Sequence, residues 1–525
     1  MRRRPGFEIV GILILVGYVT LVTVFGRFVG LDEPASKAAG RDWGLNGHWA
    51  APELAGWLPY TEPPVEQFYG MYPPLYAFGF GLLVRLVGFG WRQCVFYDAA
   101  IHASLAFLAV HATRKLGGKR FPAWLGWLVS LAILPLGTAR EARPDELAAC
   151  FGIGGLLLLL SAGLSLSRVL GSGLLFGLCG GTSLGAAAML TMIAAMLVLT
   201  REVSWFRRLS LGLVWTVVAG TTFALIVVPL LVSHPGLLDQ FRANSRTTLR
   251  LNQTFVQRIV ETLLPVLTYY RDVVISVLGP GLVGLLLSLR LVWNGEVRRW
   301  CSRWLGPIGA VSFWLATTCK PLYLWFLGPW LIALAVTELA SSWSSLNRLL
   351  RGAALLVLAA SLVLGSELTI RESMQILSLP PSQKQDWNQR VLEAVIPPGS
   401  VVLTADAWWF LAGDRVVYDL SFARPDMEKV DFVVLSGNGS VSSGLPKIRN
   451  FVGFEAFPLL EKFRPVSDNL NRSWPTLWGR PLARHTNGFG TLVLERISRD
   501  VQGKPSLETQ REHADQNSLS NAPTD

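Results

Sequence analysis

Charge is what this 525-residue chain has least of. Asp, Glu, Lys and Arg together make 16% of it, against about 25% in an average soluble protein. A chain this poor in charge, 51% hydrophobic and with a mean hydropathy of +0.40, is not a disordered, fibrous or soluble globular chain. The net charge of +11 does not point to nucleic acid. The basic residues sit in short runs between apolar blocks and form no face that could follow phosphates. Cysteine is scarce too. Cys94, Cys150, Cys179, Cys301 and Cys319 stand singly in or beside apolar segments, without a CxxC, which excludes a disulfide framework or a zinc module. His48 lacks a second histidine at ligand spacing and reads as structural. No repeat of fixed period is present.

What the chain has in quantity is long apolar runs, and these make it a polytopic α-helical membrane protein. Arg2, Arg3 and Arg4 precede the first run, about Phe7–Val29, which is long enough to span a bilayer and too long for a signal-peptide core. By the positive-inside rule the N-terminus lies in the cytoplasm and the first polar loop, 31–92, lies outside. The apolar stretch Pro73–Gly90 is short and contains Arg85, so it is expected to lie in the outer interface rather than to cross. That assignment puts the most basic short loop, Arg114-Lys115 with Lys119-Arg120, inside. Spans then follow at Cys94–Thr113, Phe121–Thr138, Leu147–Leu166, Val169–Leu184, Ala186–Thr200, Leu209–Val232, Val273–Trp293, Leu305–Thr318, Leu322–Glu338 and Ala353–Leu364. The total is about eleven. The membrane domain is expected to cover 1–366.

Composition changes after about Glu367. An amphipathic helix around Trp387–Val395 precedes short strand-like runs at Val401–Ala405, Arg415–Leu420, Phe432–Ser436 and Thr491–Ile497, with a helical pattern at Phe451–Phe463. This alternation predicts a small α/β soluble domain over 367–500, outside the membrane, followed by a polar tail, 501–525, expected to be disordered.

Residues able to do chemistry gather in the outer loops. Asp32-Glu33 follows the first span directly, where the dielectric falls and an ionised group is costly without a partner. The same loop carries Trp43, Trp49, Trp57, Glu62, Glu66 and the run Tyr72-Pro73-Pro74-Leu75-Tyr76, a density of rings and prolines suited to a stiff interfacial loop over a lipid-linked substrate. Glu53, with no motif around it, is expected to tolerate neutralisation. One hairpin later comes Arg140-Glu141-Ala142-Arg143-Pro144-Asp145-Glu146. Lys320 is the one lysine between Lys119 and Lys384, at an outer helix end, where a compact ammonium suits a phosphate. Asp98 and His102 are the notable ionisable residues inside a span.

An acidic pair just after the first helix, a PPLY run opening an interfacial helix, and RPD in the second outer loop resemble the GT-C glycosyltransferases. They resemble most the bacterial branch related to dolichyl-phosphate-mannose protein mannosyltransferases and the aminoarabinose transferases. The likeness runs over roughly Phe7–Glu338 in order and sidedness. The aminoarabinose branch has Glu-Lys before its prolines; here Tyr72 stands there. The resemblance implies a polyprenyl-phosphate sugar donor, a glycan, lipid or protein acceptor, a first-loop acid at Asp32 with Glu33 beside it, and a second-loop acid at Asp145.

The chemistry of the residues agrees. An acceptor hydroxyl needs a general base, for which Asp32 is the candidate. Asp145 would orient the acceptor or Asp32, or hold Mg²⁺ or Mn²⁺ together with Asp32. Lys320, Arg140 and Arg143 are the candidates to stabilise the departing phosphate, with Glu62, Tyr72 and Tyr76 on the substrate loop. Displacement by one attacking oxygen predicts an inverting hexosyl or pentosyl transferase. A transporter or flippase of lipid-linked glycans is the competing reading, and a non-catalytic scaffold the third. A transporter should concentrate ionisable residues and broken helices at the membrane midplane.

Overall fold

A computed structural model of the chain describes residues 5–25, 33–55, 61–117, 126–131, 133, 143–161, 165–249, 254–258, 271–317, 324, 326–378, 385–404, 415–419, 426–436, 463–468, 476–477, 480–481 and 491–497. Apolar runs become helices because the backbone then satisfies its own polar groups within the segment. In chain order these are α1 (Pro5–Phe25), α2 (Glu33–Asn46), α3 (Leu75–Val87), α4 (Trp91–Gly117), α5 (Pro144–Leu160), α6 (Leu166–Gly180) and α7 (Leu184–Leu199). They continue with α8 (Trp205–Ser233), α9 (Leu237–Leu249), α10 (Arg271–Trp293), α11 (Val297–Thr317), α12 (Gly328–Ser342), α13 (Arg348–Ser378) and α14 (Gln385–Val395).

A helix lies on each expected span except Phe121–Thr138, which falls mostly outside the described residues, with helix at 126–131. Among the described residues, three helices are long and apolar enough to cross a bilayer: Trp91–Gly117, Trp205–Ser233 and Val274–Trp293. Glu8–Val24, Leu75–Val87, Leu166–Gly180 and Leu184–Leu199 are apolar but shorter.

α4 lies at the centre of the helical body, packed on α1, α5 and α12. α6 sits between α5 and α8, α7 packs on α5 and α11, and α10 on α12 and α13. Trp304, Trp314 and Trp330 are the largest side chains buried among these helices. α8 buries only 11% of its apolar window, and Leu213, Leu225 and Val232 point outward from it, as on a helix facing lipid.

Cations gather where α4, α5, α7 and α12 end. Arg114 pairs with Glu8 of α1 at 2.7 Å. Lys115 donates to the Leu157 carbonyl at 2.9 Å, Arg298 to Thr200 at 2.6 Å, and Arg303 to Leu116 at 2.8 Å while also pairing with Glu338. Helix C-termini leave carbonyls without intrahelical donors, and long cationic side chains satisfy them. Asp145 and Glu146 at the start of α5 and Ser183 at the start of α7 stand at the opposite ends of these helices.

The first polar loop holds a helix that the sequence reading missed. α2 lies against α3 because both present small residues. A methyl at Gly40 would overlap the Ala77 carbonyl, one at Gly81 would overlap that of Gly40, and one at Gly44 would stand 2.7 Å from the Gly81 carbonyl.

The C-terminal residues form a five-stranded sheet from β1 (Val401–Thr404), β2 (Val416–Asp419), β3 (Phe432–Ser436), β4 (Phe463–Asp468) and β5 (Thr491–Arg496), in the order β2-β1-β3-β5-β4. β1 pairs in parallel with β2 and β3, while β5 runs antiparallel to β3 and β4. The helical pattern expected over Phe451–Phe463 lies outside the described residues but for Phe463, which opens β4. One apolar cluster joins Phe80, Trp91 and Val95 of α3 and α4, through Leu392 and Ile396 of α14, to Val402, Phe432 and Val493 of the sheet. The sheet therefore shares a core with α3 and α4, and β2 also packs on the 3₁₀ turn Pro52–Leu54.

Candidate active site

Two buried ion pairs tie α2 to its surroundings. Lys37, fully buried, reaches Asp98 Oδ2 of α4 at 2.5 Å and donates to the Cys94 carbonyl at 3.2 Å. The Tyr76 hydroxyl donates to Asp98 Oδ1 at 2.5 Å, and Tyr97 donates to the Tyr76 carbonyl at 2.9 Å. One turn along α2, Arg41 pairs with the fully buried Glu53 and stacks on the Phe89 ring at 5.5 Å. Burial pushes the Glu53 carboxyl above the usual carboxylate range, with Arg41 pulling the other way. Glu53 is thus no isolated loop acid, although no motif surrounds it in the sequence: it is buried against Arg41, and a buried charge is tolerated there because it is paired.

The second group stands at the start of α5. Pro144 opens that helix, and Asp145 and Glu146 follow in its first turn, where carboxylates complement the helix dipole. Asp145 is 5% exposed. Ser183, at the start of α7, donates to its Oδ1 at 2.7 Å, and Arg143 Nε donates to its Oδ2 at 2.9 Å. Glu146 Oε1 lies 3.1 Å from His102 Nδ1 of α4, and His102 Nε2 lies 3.1 Å from the Ile133 carbonyl. Asp145, Glu146 and His102 line one cleft, whose other walls include Leu105, Phe326, Pro329 and Ile332.

The third group is the loop 61–74, fastened from α9. Gln240 is fully buried, donates through Nε2 to the carbonyls of Pro63 at 2.6 Å and Phe68 at 2.9 Å, and accepts from the Gly70 amide at 2.7 Å. Phe68 stacks on His234 with ring centroids 3.5 Å apart. Only glycine fits at 236, since a Cβ there would overlap the Glu62 carbonyl. Trp49 Nε1 adds a bond to the Tyr69 carbonyl at 2.9 Å.

Of the residues named from sequence, Asp32, Arg140 and Lys320 lie outside the described residues, as do Trp57 and Glu141. Glu33 opens α2. Asp145 and Arg143 are brought together. Tyr76 is buried on Asp98, Tyr72 packs beside Met71 and Tyr69, and Glu62 is exposed. The structure adds Lys37, Arg41, Asp98, Glu146, His102 and Gln240. Asp98 and His102 carried a signal, a charge and an imidazole inside an apolar run. Lys37 and Arg41 carried a weaker one, a four-residue spacing on one helical face. Gln240 carried none.

Asp32, the carboxylate expected to share a cation with Asp145, lies outside the described residues. Among the described residues no three His, Cys, Asp or Glu side chains stand where they could share one, and both oxygens of Asp145 are engaged by Ser183 and Arg143.

No family model and no curated protein matches the sequence. Solved structures do match in fold. ArnT from Cupriavidus metallidurans bound to undecaprenyl phosphate superposes with a TM-score of 0.57 at 14% identity, covering 96% of this chain and 100% of that one. The apo form of the same protein gives 0.53 at 16% identity, over 95% and 99%. The Archaeoglobus fulgidus oligosaccharyltransferase in complex with Zn and sulfate gives 0.50 at 13% identity, over 86% of this chain and 72% of that one. At such identities the likeness shows the fold alone, a fold this chain shares with ArnT over almost its whole length.

Proposed function

We propose that this protein is a membrane glycosyltransferase that moves a sugar from a polyprenyl-phosphate donor to an acceptor hydroxyl at the outer face of a bacterial cytoplasmic membrane. The observation that carries this reading is the end-to-end likeness to ArnT, a protein whose structure holds undecaprenyl phosphate. It is supported by a carboxylate-lined cleft at the end of the helical body away from the cationic helix ends.

The reaction forms a bond from the acceptor oxygen to the anomeric carbon and breaks the bond from that carbon to the phosphate oxygen. The acceptor proton passes to Asp32, the proposed general base, with Glu33 beside it. Polyprenyl phosphate departs carrying the bonding pair, so a cation aimed at its oxygens lowers the barrier. Lys320 and Arg140 are the proposed donors. Arg143 is committed to Asp145, so its part is to set that carboxylate and the start of α5. A single displacement inverts the anomeric centre.

A radiolabelled polyprenyl-phosphate sugar and the purified protein in nanodiscs test the assignment. Asp32→Asn should lower turnover by ~10²-fold or more with normal insertion, and Lys320→Ala by about 10–10³-fold. Full activity in Asp32→Asn, Glu33→Gln and Asp145→Asn taken singly would end the carboxylate mechanism.

A further inference from the structure

The cations where α4, α5 and α7 end outnumber the anions offered to them. Lys115, in the last turn of α4, donates to the Leu157 carbonyl at 2.9 Å and to the Ser161 hydroxyl. Arg201, just past α7, donates to the Leu159 carbonyl and, at 3.4 Å, to that of Ser161. Among the described residues neither cation meets a carboxylate, and the oxygens they reach at the end of α5 are uncharged. Arg168, in the first turn of α6, stands near enough to Lys115 for the two like charges to repel.

The chain brings no acid of its own to these stretches. No Asp or Glu occurs from Ala99 to Arg140 or from Leu147 to Arg201, which hold Lys115, Lys119, Arg120, Arg168 and Arg201. The acid that follows, Glu202, is exposed and pairs with Arg298 at 3.8 Å. Capping does not use up the excess. The end of one helix carries about half an elementary negative charge, while two full positive charges face the end of α5 and a third stands beside them. The balance calls for an anion from outside the chain.

What lies next to the cations selects that anion. Leu166, Leu170 and Leu174, each four residues from the next, are exposed on α6 and form an apolar stripe that starts in the turn carrying Arg168. Trp205 and Phe206 open α8, which packs on α6, and both are exposed, as aromatic rings are at a membrane interface. Inorganic phosphate would use the cations and ignore the stripe. A phosphodiester carried on acyl chains uses both. We propose that Lys115, Arg168 and Arg201 bind the phosphate of an anionic phospholipid, with an acyl chain lying along Leu166, Leu170 and Leu174. The site stands at the end of the helical body away from Asp145 and Ser183, and it does not depend on the transferase reading.

Native mass spectrometry of the full-length protein tests the site, with titration of phosphatidylglycerol or phosphatidylcholine of the same acyl chains from a non-ionic detergent. The two lipids differ in headgroup charge. Wild type should bind phosphatidylglycerol about tenfold or more tighter than phosphatidylcholine. Lys115→Gln and Arg168→Gln should each weaken phosphatidylglycerol about fivefold while phosphatidylcholine stays within about twofold. Lys115→Arg, which keeps the charge, should keep the preference. Arg299→Gln removes a cation of the same end that pairs with Glu296, and should leave both affinities within about twofold. A photoactivatable phosphatidylglycerol should crosslink to α6 of the wild type, a readout that needs no variant. Equal affinity for the two lipids, an unchanged preference when both glutamine substitutions are combined, or an equal loss in Arg299→Gln would overturn the proposal. So would crosslinks no denser on α6 than on α13, or displacement of the lipid by inorganic phosphate at equal concentration.

Discussion

At the residue scale the candidate site is built from charges that only neighbours make tolerable. Lys37 and Asp98 lie 2.5 Å apart, with Tyr76 on the other oxygen of the carboxylate, so neither ion is buried alone. Arg41 and Glu53 repeat the device one helical turn away. Removing one partner of such a pair leaves an uncompensated charge, which costs about 3–5 kcal/mol. Glu53→Ala should therefore lower stability by ~3 kcal/mol, measured as the loss of monodisperse protein on heating in detergent. Wild-type heat resistance in that variant would mean the pair holds nothing. These pairs also bear on the transporter reading. Asp98 and His102 are engaged by residues of the loops and helix starts at one end, Lys37, Tyr76 and Glu146, rather than by a relay along the helices.

At the element scale, what the sequence made legible follows from how each element is stabilised. α4, α8 and α10 could be read because a bilayer-spanning helix must be apolar along its length, and that shows in the chain alone. β1, β2, β3 and β5 were legible as short β-rich runs between turn residues. α2 was not. EPASKAAGRDWGLN is polar, and it is helical against α3 because Gly40, Gly44 and Gly81 let two backbones meet while Lys37 and Arg41 find anions on other elements. Such partners cannot be read from a local window. The same holds for the fastening of loop 61–74 by Gln240, whose bonded partners stand 170 or more residues away in sequence. Gln240→Leu would strip three backbone groups of their partner at once. The Gly70 amide should then exchange its hydrogen at least ~30-fold faster, a change of about 2 kcal/mol in the opening free energy. Unchanged exchange at Gly70 would show that the loop is held by other contacts.

At the scale of the whole molecule, the helical body, the first loop and the C-terminal sheet form a continuous structure around one end of the bundle. The sheet packs into the same apolar cluster as the second half of α3 and the start of α4, and β2 lies on the turn that carries Glu53. The part of the site that stayed illegible in the sequence is where such distant elements converge. Asp145 was found through its RPD run, whereas Glu146 and His102 acquire meaning only once α4 and α5 stand side by side. The central claim, transfer of a sugar from a lipid phosphate, is tested most directly by the product itself. Purified protein in nanodiscs is supplied with a polyprenyl-phosphate sugar labelled with ¹³C at the anomeric carbon, together with membrane acceptors, and the product is examined by NMR. The account predicts a new glycosidic bond of opposite anomeric configuration and an equal amount of released polyprenyl phosphate, both lost in Asp32→Asn. A donor that stays intact, or a product that retains the configuration, would contradict it.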